Sequence, residues 1–250
     1  MTLEMQSGTR IYLSGFSAVI YEKRDCKNNI KIIEKTTIQT AAQYANSTTR
    51  MAVLNFANAY SPGGGVENGD MAQEESLCRS SNLYYGLTIP YVVKHYYKKN
   101  VKMIGDMGTD DVIYFPGVTV IKTDDDIPIL RDIFYKVDVI TCAAPYYNSE
   151  KRKPVTFSKL EDVFYHRIKN ILEVAVANDV DILILGAFGC GAFNNPPNLV
   201  ASVFFNLLIQ EEYRLYFNQV IFAIKANDKN NSDLEAFRHV FRQYEVTSSL

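Results

Sequence analysis

The sequence is poor in the residues that build metal sites and disulfide frameworks. Its four cysteines, Cys26, Cys78, Cys142 and Cys190, are scattered without a C-x-x-C pair, which argues against a zinc ribbon and suits reduced thiols. The three histidines, His95, His166 and His239, fall on separate predicted helices, and no Ser-His-Asp set suggests itself. Excess charge is also lacking: the net charge of −2 gives no basic field to attract nucleic acid non-specifically, so a polyanionic substrate has to be held by local donors. The longest apolar run, residues 182–193, falls short of the about 20 residues a membrane span requires, and the first ten residues lack the apolar run of a signal peptide. These absences lead us to expect a soluble cytoplasmic protein with no membrane partner, no metal and no cofactor.

What is present is an ordinary globular composition. With 250 residues, 47% hydrophobic and 22% charged, the chain can bury one sizeable core, and a single domain over residues 1–250 is the economical expectation. Strand-like and helix-like stretches alternate, which predicts an α/β fold. Residues 11–22 and 30–34 read as β-rich, and a helix follows with Thr36 or Thr37 as its cap. Residues 52–56 read as a buried strand, residues 73–85 as a helix and residues 92–99 as a basic, Tyr-rich helix with a solvated face. Two β-rich pieces split by Pro116 and Gly117 come next. An acidic turn at residues 123–128 lacks the ligand spacing of a calcium loop. Residues 136–143 form a strand that opens into a long polar loop at residues 143–154. A helix at 158–178, a strand at 181–185, a helix at 198–211, a strand at 220–224 and a helix at 232–244 complete the series.

Two loops stand out. The first follows the strand at 52–56: Asn58, then Gly63, Gly64 and Gly65, then seven residues, then Gln73, Glu74 and Glu75 opening a helix. Consecutive glycines let backbone N–H groups approach a ligand, and the two acids then stand beside it. The second follows the strand at 181–185 and reads G-A-F-G-C-G-A-F-N-N-P-P over residues 186–197. It has P-loop spacing between Gly186 and Gly191, but Ala192 and Phe193 stand where Lys and Ser or Thr would have to be. The order of its glycines is wrong for a Rossmann fingerprint. Phe188 and Ala192 stand where a nucleophile elbow around Cys190 would need glycine, so Cys190 reads as a small buried residue.

Phe-Ala-Asn before the triple glycine and Gln-Glu-Glu after it, together with the G-x-x-G-C-G-x-F-x-N loop, resemble the microbial type of poly(ADP-ribose) glycohydrolase. The resemblance spans nearly the whole chain. It implies a macrodomain-like three-layer α/β/α sandwich around a mixed β-sheet. It also implies a glycosidase that cleaves ribose–ribose O-glycosidic bonds of poly(ADP-ribose), or of an ADP-ribosylated macromolecule, and releases ADP-ribose without a metal. Glu75 would serve as the acid and then the base, and Glu74 would hold ribose hydroxyls. Asn58 would orient the ribose. Gly63, Gly64, Gly65 and Gln73 would contribute to the substrate site. Gly186, Gly189, Cys190, Gly191, Ala192 and Asn195 would wrap the diphosphate, and Phe193 would stack on adenine. One departure is Pro196–Pro197, where family members often carry Asp-Pro. Two other readings stay open: a module that binds ADP-ribose without cleaving it, and a hydrolase of another ADP-ribosyl linkage, on mono-modified protein or nucleic acid. Consecutive helical residues diverge by about 100°, so Glu74 and Glu75 do not flank a bond from both faces, and one carboxylate has to cycle the proton.

Overall fold

The computed structural model describes residues 3–19, 22–24, 29–45, 48–103, 107–147, 155–225 and 231–247. The strands β1 (Arg10–Tyr12), β2 (Ile30–Ile33), β3 (Met51–Phe56), β4 (Val112–Lys122), β5 (Leu130–Cys142), β6 (Ile182–Leu185) and β7 (Gln219–Ala223) form one sheet. Their order is β1-β4-β5-β3-β6-β7-β2. From β5 to β2 every neighbouring pair is parallel, whereas β4 runs antiparallel to both β1 and β5, so the sheet is mixed.

The central strands β3 and β6 are almost wholly apolar because parallel strands are covered on both faces. Alternation along β3 sends Ala52 and Leu54 into a core with α7 (Phe157–Ala177), α8 (Pro197–Phe205) and α9 (Ser232–Thr247). Met51 and Val53 enter a second core with α1 (Leu3–Gly8), α2 (Thr37–Gln43), α3 (Gln73–Ser80) and α4 (Leu83–Leu87). Two cores on opposite faces of one sheet make the three layers that the resemblance implied. Among the described residues no helix is long and apolar enough to cross a membrane.

Several boundaries differ from the sequence expectation, each for a tertiary reason. The β-rich stretch at residues 11–22 yields a strand only to Tyr12, which pairs with Val112 at the start of β4; further residues would have no partner. Residues 20 and 21, like Cys26, lie outside the described residues, as do residues 148–154 of the polar loop. The two pieces split by Pro116 and Gly117 are one strand, because a bulge between Phe115 and Val118 absorbs them and Gly117 takes φ +64° there. The helix expected over residues 73–85 breaks at Ser81, which bridges to Val120 while Asn82 exchanges two hydrogen bonds with Thr119. The helix near residues 92–99 is a continuous run of α5 (Pro90–Val92), a wide π-type turn and α6 (Lys98–Val101). Thr36 caps α2 through a reciprocal capping box with Gln39.

Candidate active site

The site is built where β3 ends and α3 begins, and Gln73 joins the two. Its side-chain Oε1 accepts from Phe56 N–H at 2.9 Å and its Nε2 donates to Leu54 C=O at 2.8 Å and Thr37 Oγ1 at 3.1 Å. The amide thus stands in for a neighbouring peptide group and pins the helix start to the end of β3. Gln73 borders the cleft, but its hydrogen bonds serve the framework.

With α3 pinned, the next two side chains fold back under the glycine loop. Glu74 is 2% exposed: its Oε2 accepts from Asn58 N–H at 2.7 Å and its Oε1 from Asn55 Nδ2 at 3.2 Å. Gly63 adds a further backbone hydrogen bond to Glu74. Burial pushes its carboxyl up to about 8, and the neighbouring Glu75 adds to the shift, while the bonds from Asn58, Asn55 and Gly63 oppose it. Glu75 is 7% exposed, and its Oε1 accepts from Gly65 N–H at 2.9 Å. Its Oε2 is buried and accepts from none of the described residues. The donors of Gly64 and Gly65 are likewise engaged within the protein: Gly64 N–H closes a turn on Ser61 C=O at 3.1 Å, and Gly65 N–H holds Glu75.

Asn58 follows β3 directly. Its Oδ1 accepts from Tyr60 N–H at 2.8 Å and Ser61 N–H at 3.0 Å, an Asx turn that shapes the loop. Its Nδ2 donates to none of the described residues, and the residue borders the cleft.

Opposite stands the loop after β6. Gly189 takes φ +76°, and a Cβ there would lie 2.4 Å from Ala144 Cβ, so this loop and the one after β5 can approach only at a glycine. Asn195 Nδ2 donates to Pro145 C=O and Gly189 C=O, each at 2.8 Å. Asn195 is buried beneath the loop as a brace and does not border the cleft. Cys190 is buried, and burial raises its thiol pKa, so it is placed as a packing residue. Gly186 lies at the root of the loop, against Ala223 C=O and the Phe56 ring. Gly189, Gly191, Ala192 and Phe193 border the cleft, and the N–H groups of Gly191, Ala192 and Phe193 donate to none of the described residues. They are the backbone donors available to an anion. The helix that follows adds few, because Pro196 and Pro197 supply no N–H at its start.

The cleft between the two loops has a volume of about 630 Å³, within the range of small-molecule sites. Asn58, Glu74 and Glu75 lie on its β3 side; Ile224 and Lys225, which follow β7, and Thr36 and Thr37, which follow β2, lie toward the other edge of the sheet, with Thr37 reaching Gln73. Phe193 stands with Asn58 and Ala144, its ring 5.3 Å from that of Tyr146. Sequence reasoning missed Asn55, hidden inside an apolar strand, and the far end of the cleft, where Asp124 and Asp126 of the acidic turn also stand. The only sequence signal was a polar residue in an otherwise apolar strand. Among the described residues no three His, Cys, Asp or Glu side chains are grouped to hold a metal.

The chain as a whole has counterparts among solved structures. A poly(ADP-ribose) glycohydrolase from Deinococcus radiodurans, in complex with ADP-ribose, is 31% identical, and the match covers 96% of each chain with a TM-score of 0.83. The glycohydrolase from Thermomonospora curvata is 31% identical over 94% of this chain and 86% of its own, with a TM-score of 0.84. Its structure bound to the inhibitor ADP-HPD matches with 31% identity over 93% of this chain and 85% of its own, at a TM-score of 0.80. No curated protein matches the chain. The family model for the microbial-type PARG catalytic domain matches residues 2–123, the segment that carries both Asn58 and the two acids. With that segment matched and 31% identity to a solved glycohydrolase over 96% of the chain, the chain belongs to the microbial-type poly(ADP-ribose) glycohydrolase family.

Proposed function

We propose that this chain hydrolyses ribose–ribose O-glycosidic bonds of poly(ADP-ribose), releasing ADP-ribose, with Glu75 as the group that cycles the proton. The observation that carries the assignment is the uncommitted buried Oε2 of Glu75, a residue that lines the cleft, beside a Glu74 whose two oxygens are both engaged. As the glycosidic C–O bond breaks, Glu75 gives its proton to the departing ribose oxygen. The carboxylate left behind takes a proton from the water that adds to the oxocarbenium-like carbon, which restores the acid.

Asn58 offers Nδ2 to a ribose hydroxyl, and the N–H groups of Gly191, Ala192 and Phe193 take the diphosphate. Phe193 lies at the Asn58 end, so its ring packs against the ribose next to the scissile bond. The adenine then occupies the end near Thr36 and Ile224, a reassignment from the adenine stacking that the resemblance implied for Phe193. We place the activity in one domain spanning residues 1–250, working without metal or cofactor. The described cysteines, Cys78, Cys142 and Cys190, are free and buried thiols that suit a cytoplasmic setting.

A module that only binds ADP-ribose has no use for an uncommitted buried carboxylate at the ribose end of its cleft. The test is release of ADP-ribose from polymer, from mono-modified protein and from modified DNA, compared side by side. Release from polymer supports the proposal. Release from one of the others alone moves the activity to that linkage, and release from none leaves the binding module.

A further inference from the structure

The carboxyl edge of the sheet carries a second hollow beside the cleft. The cleft spans the loops that follow β3, β6 and β7 and the start of α2. The smaller hollow, about 250 Å³, lies over the end of β5, among Tyr60, Met107, Thr109, Tyr146 and Arg167. Asn58, Ala144 and Phe193 border both spaces. Because β5 neighbours β3 on the side away from β6, the hollow continues the cleft beyond its ribose end.

We propose that this hollow is the subsite for the leaving side of the bond and holds the adenosine of the next unit of the polymer. The proposal rests on the glycohydrolase reading above and specifies how that site takes a polymer. A ribose–ribose bond joins the anomeric carbon held near Glu75 to a hydroxyl of the neighbouring unit's adenosine ribose. The group that lies across the bond from the cleft is therefore an adenosine.

The hollow suits that group in three respects. Its walls are aromatic: Tyr60 and Tyr146 are 38% and 39% exposed, and the Phe193 ring meets Tyr146 edge-on, surfaces on which a purine stacks. Its floor is rigid: Arg167, 1% exposed, donates from Nη1 to Ala143 C=O at 2.9 Å and from Nη2 to Met107 C=O at 3.0 Å. Asn100 Oδ1 accepts from both Thr109 N–H and Thr109 Oγ1 at 3.2 Å. Its charge is matched, since Arg167 Nε also bonds Asp110 Oδ1 at 3.1 Å, so the space favours a neutral nucleoside over a phosphate. Asn58, on the boundary, is then placed to touch the sugars on both sides of the bond.

The experiment compares ADP-ribose with its dimer, two units joined by one ribose–ribose bond, binding to the Glu75→Gln protein in a calorimeter. The dimer should bind about 5-fold to 150-fold more tightly, the range that base–aromatic stacking supplies. Tyr60→Ala, which removes a wall, and Ala59→Phe, which fills the space from another residue lining the hollow, should each erase that advantage while ADP-ribose binds as before. Retained ADP-ribose binding shows that a variant is folded, and either variant suffices if the other is not. Steady-state kinetics on polymer in the Glu75-containing protein should show the same variants raising KM by a similar factor. Equal affinity for dimer and ADP-ribose, or an advantage that survives both substitutions, overturns the subsite. A protein that releases no ADP-ribose from polymer overturns the glycohydrolase reading instead, whatever the dimer does.

Discussion

A Cβ placed on Gly64 would stand 2.2 Å from Oε1 of Glu75 and 3.2 Å from Oε2 of Glu74. The glycine loop is thus shaped around the carboxylates as much as around a substrate, and the absence of one side chain lets α3 present both acids in a buried site.

Gly64→Ala should therefore cost activity out of proportion to stability. The φ of +59° alone costs an alanine about 1 to 2 kcal/mol. Displacing Glu75 should remove most turnover, which denaturant unfolding and ADP-ribose release measured on one preparation will separate. Full activity in that variant would mean that Glu75 does not need this position.

Glu75→Gln keeps the bond from Gly65 but cannot cycle a proton, so turnover should fall by about 10²- to 10⁴-fold with ADP-ribose affinity nearly unchanged. Glu74→Gln should lower affinity together with rate, because it disturbs the loop through Asn58. Kinetics and calorimetry on both variants check this. Identical profiles would remove the division of roles.

Glu74 also sets a pH dependence of stability. Its folded-state carboxyl is raised from 4.5 to about 8, so the folded form holds the proton more tightly than the unfolded chain. The stabilisation is complete below about pH 4.5 and is lost as pH rises through about 8. Urea unfolding at about pH 5, 7 and 9 should show a fall across that window which is shallower in Glu74→Gln. A parallel fall in both proteins would place its cause elsewhere.

Phe193→Ala should weaken ADP-ribose binding by roughly 1 to 2 kcal/mol, the value of covering one face of an aromatic ring with a sugar. Binding of AMP, which lacks the second ribose, should stay unchanged. If AMP weakens equally, the ring belongs to the adenine. Chelation tests a separate point: turnover should be the same with EDTA, and activity that needs added magnesium or zinc would overturn a mechanism run by carboxylates alone.

The local patterns that sequence determines here are those set by neighbours along the chain. Apolar strands at β3 and β6, the Thr36 cap, the glycine spacing and the Gln73–Glu74–Glu75 helix start follow from periodicity, capping chemistry and backbone freedom, and all are legible in order. Tertiary structure decided what pairing and burial control. β1 stops at Tyr12 because its partner strand starts at Val112, and α3 stops at Ser80 because β4 captures the next residue. The same holds in the site. The sequence places Glu74 and Glu75 side by side as two similar acids. Only folding buries one between Asn55 and Asn58 and leaves the other with an uncommitted oxygen, because a carboxylate's environment is made by strands and loops far from it in the chain.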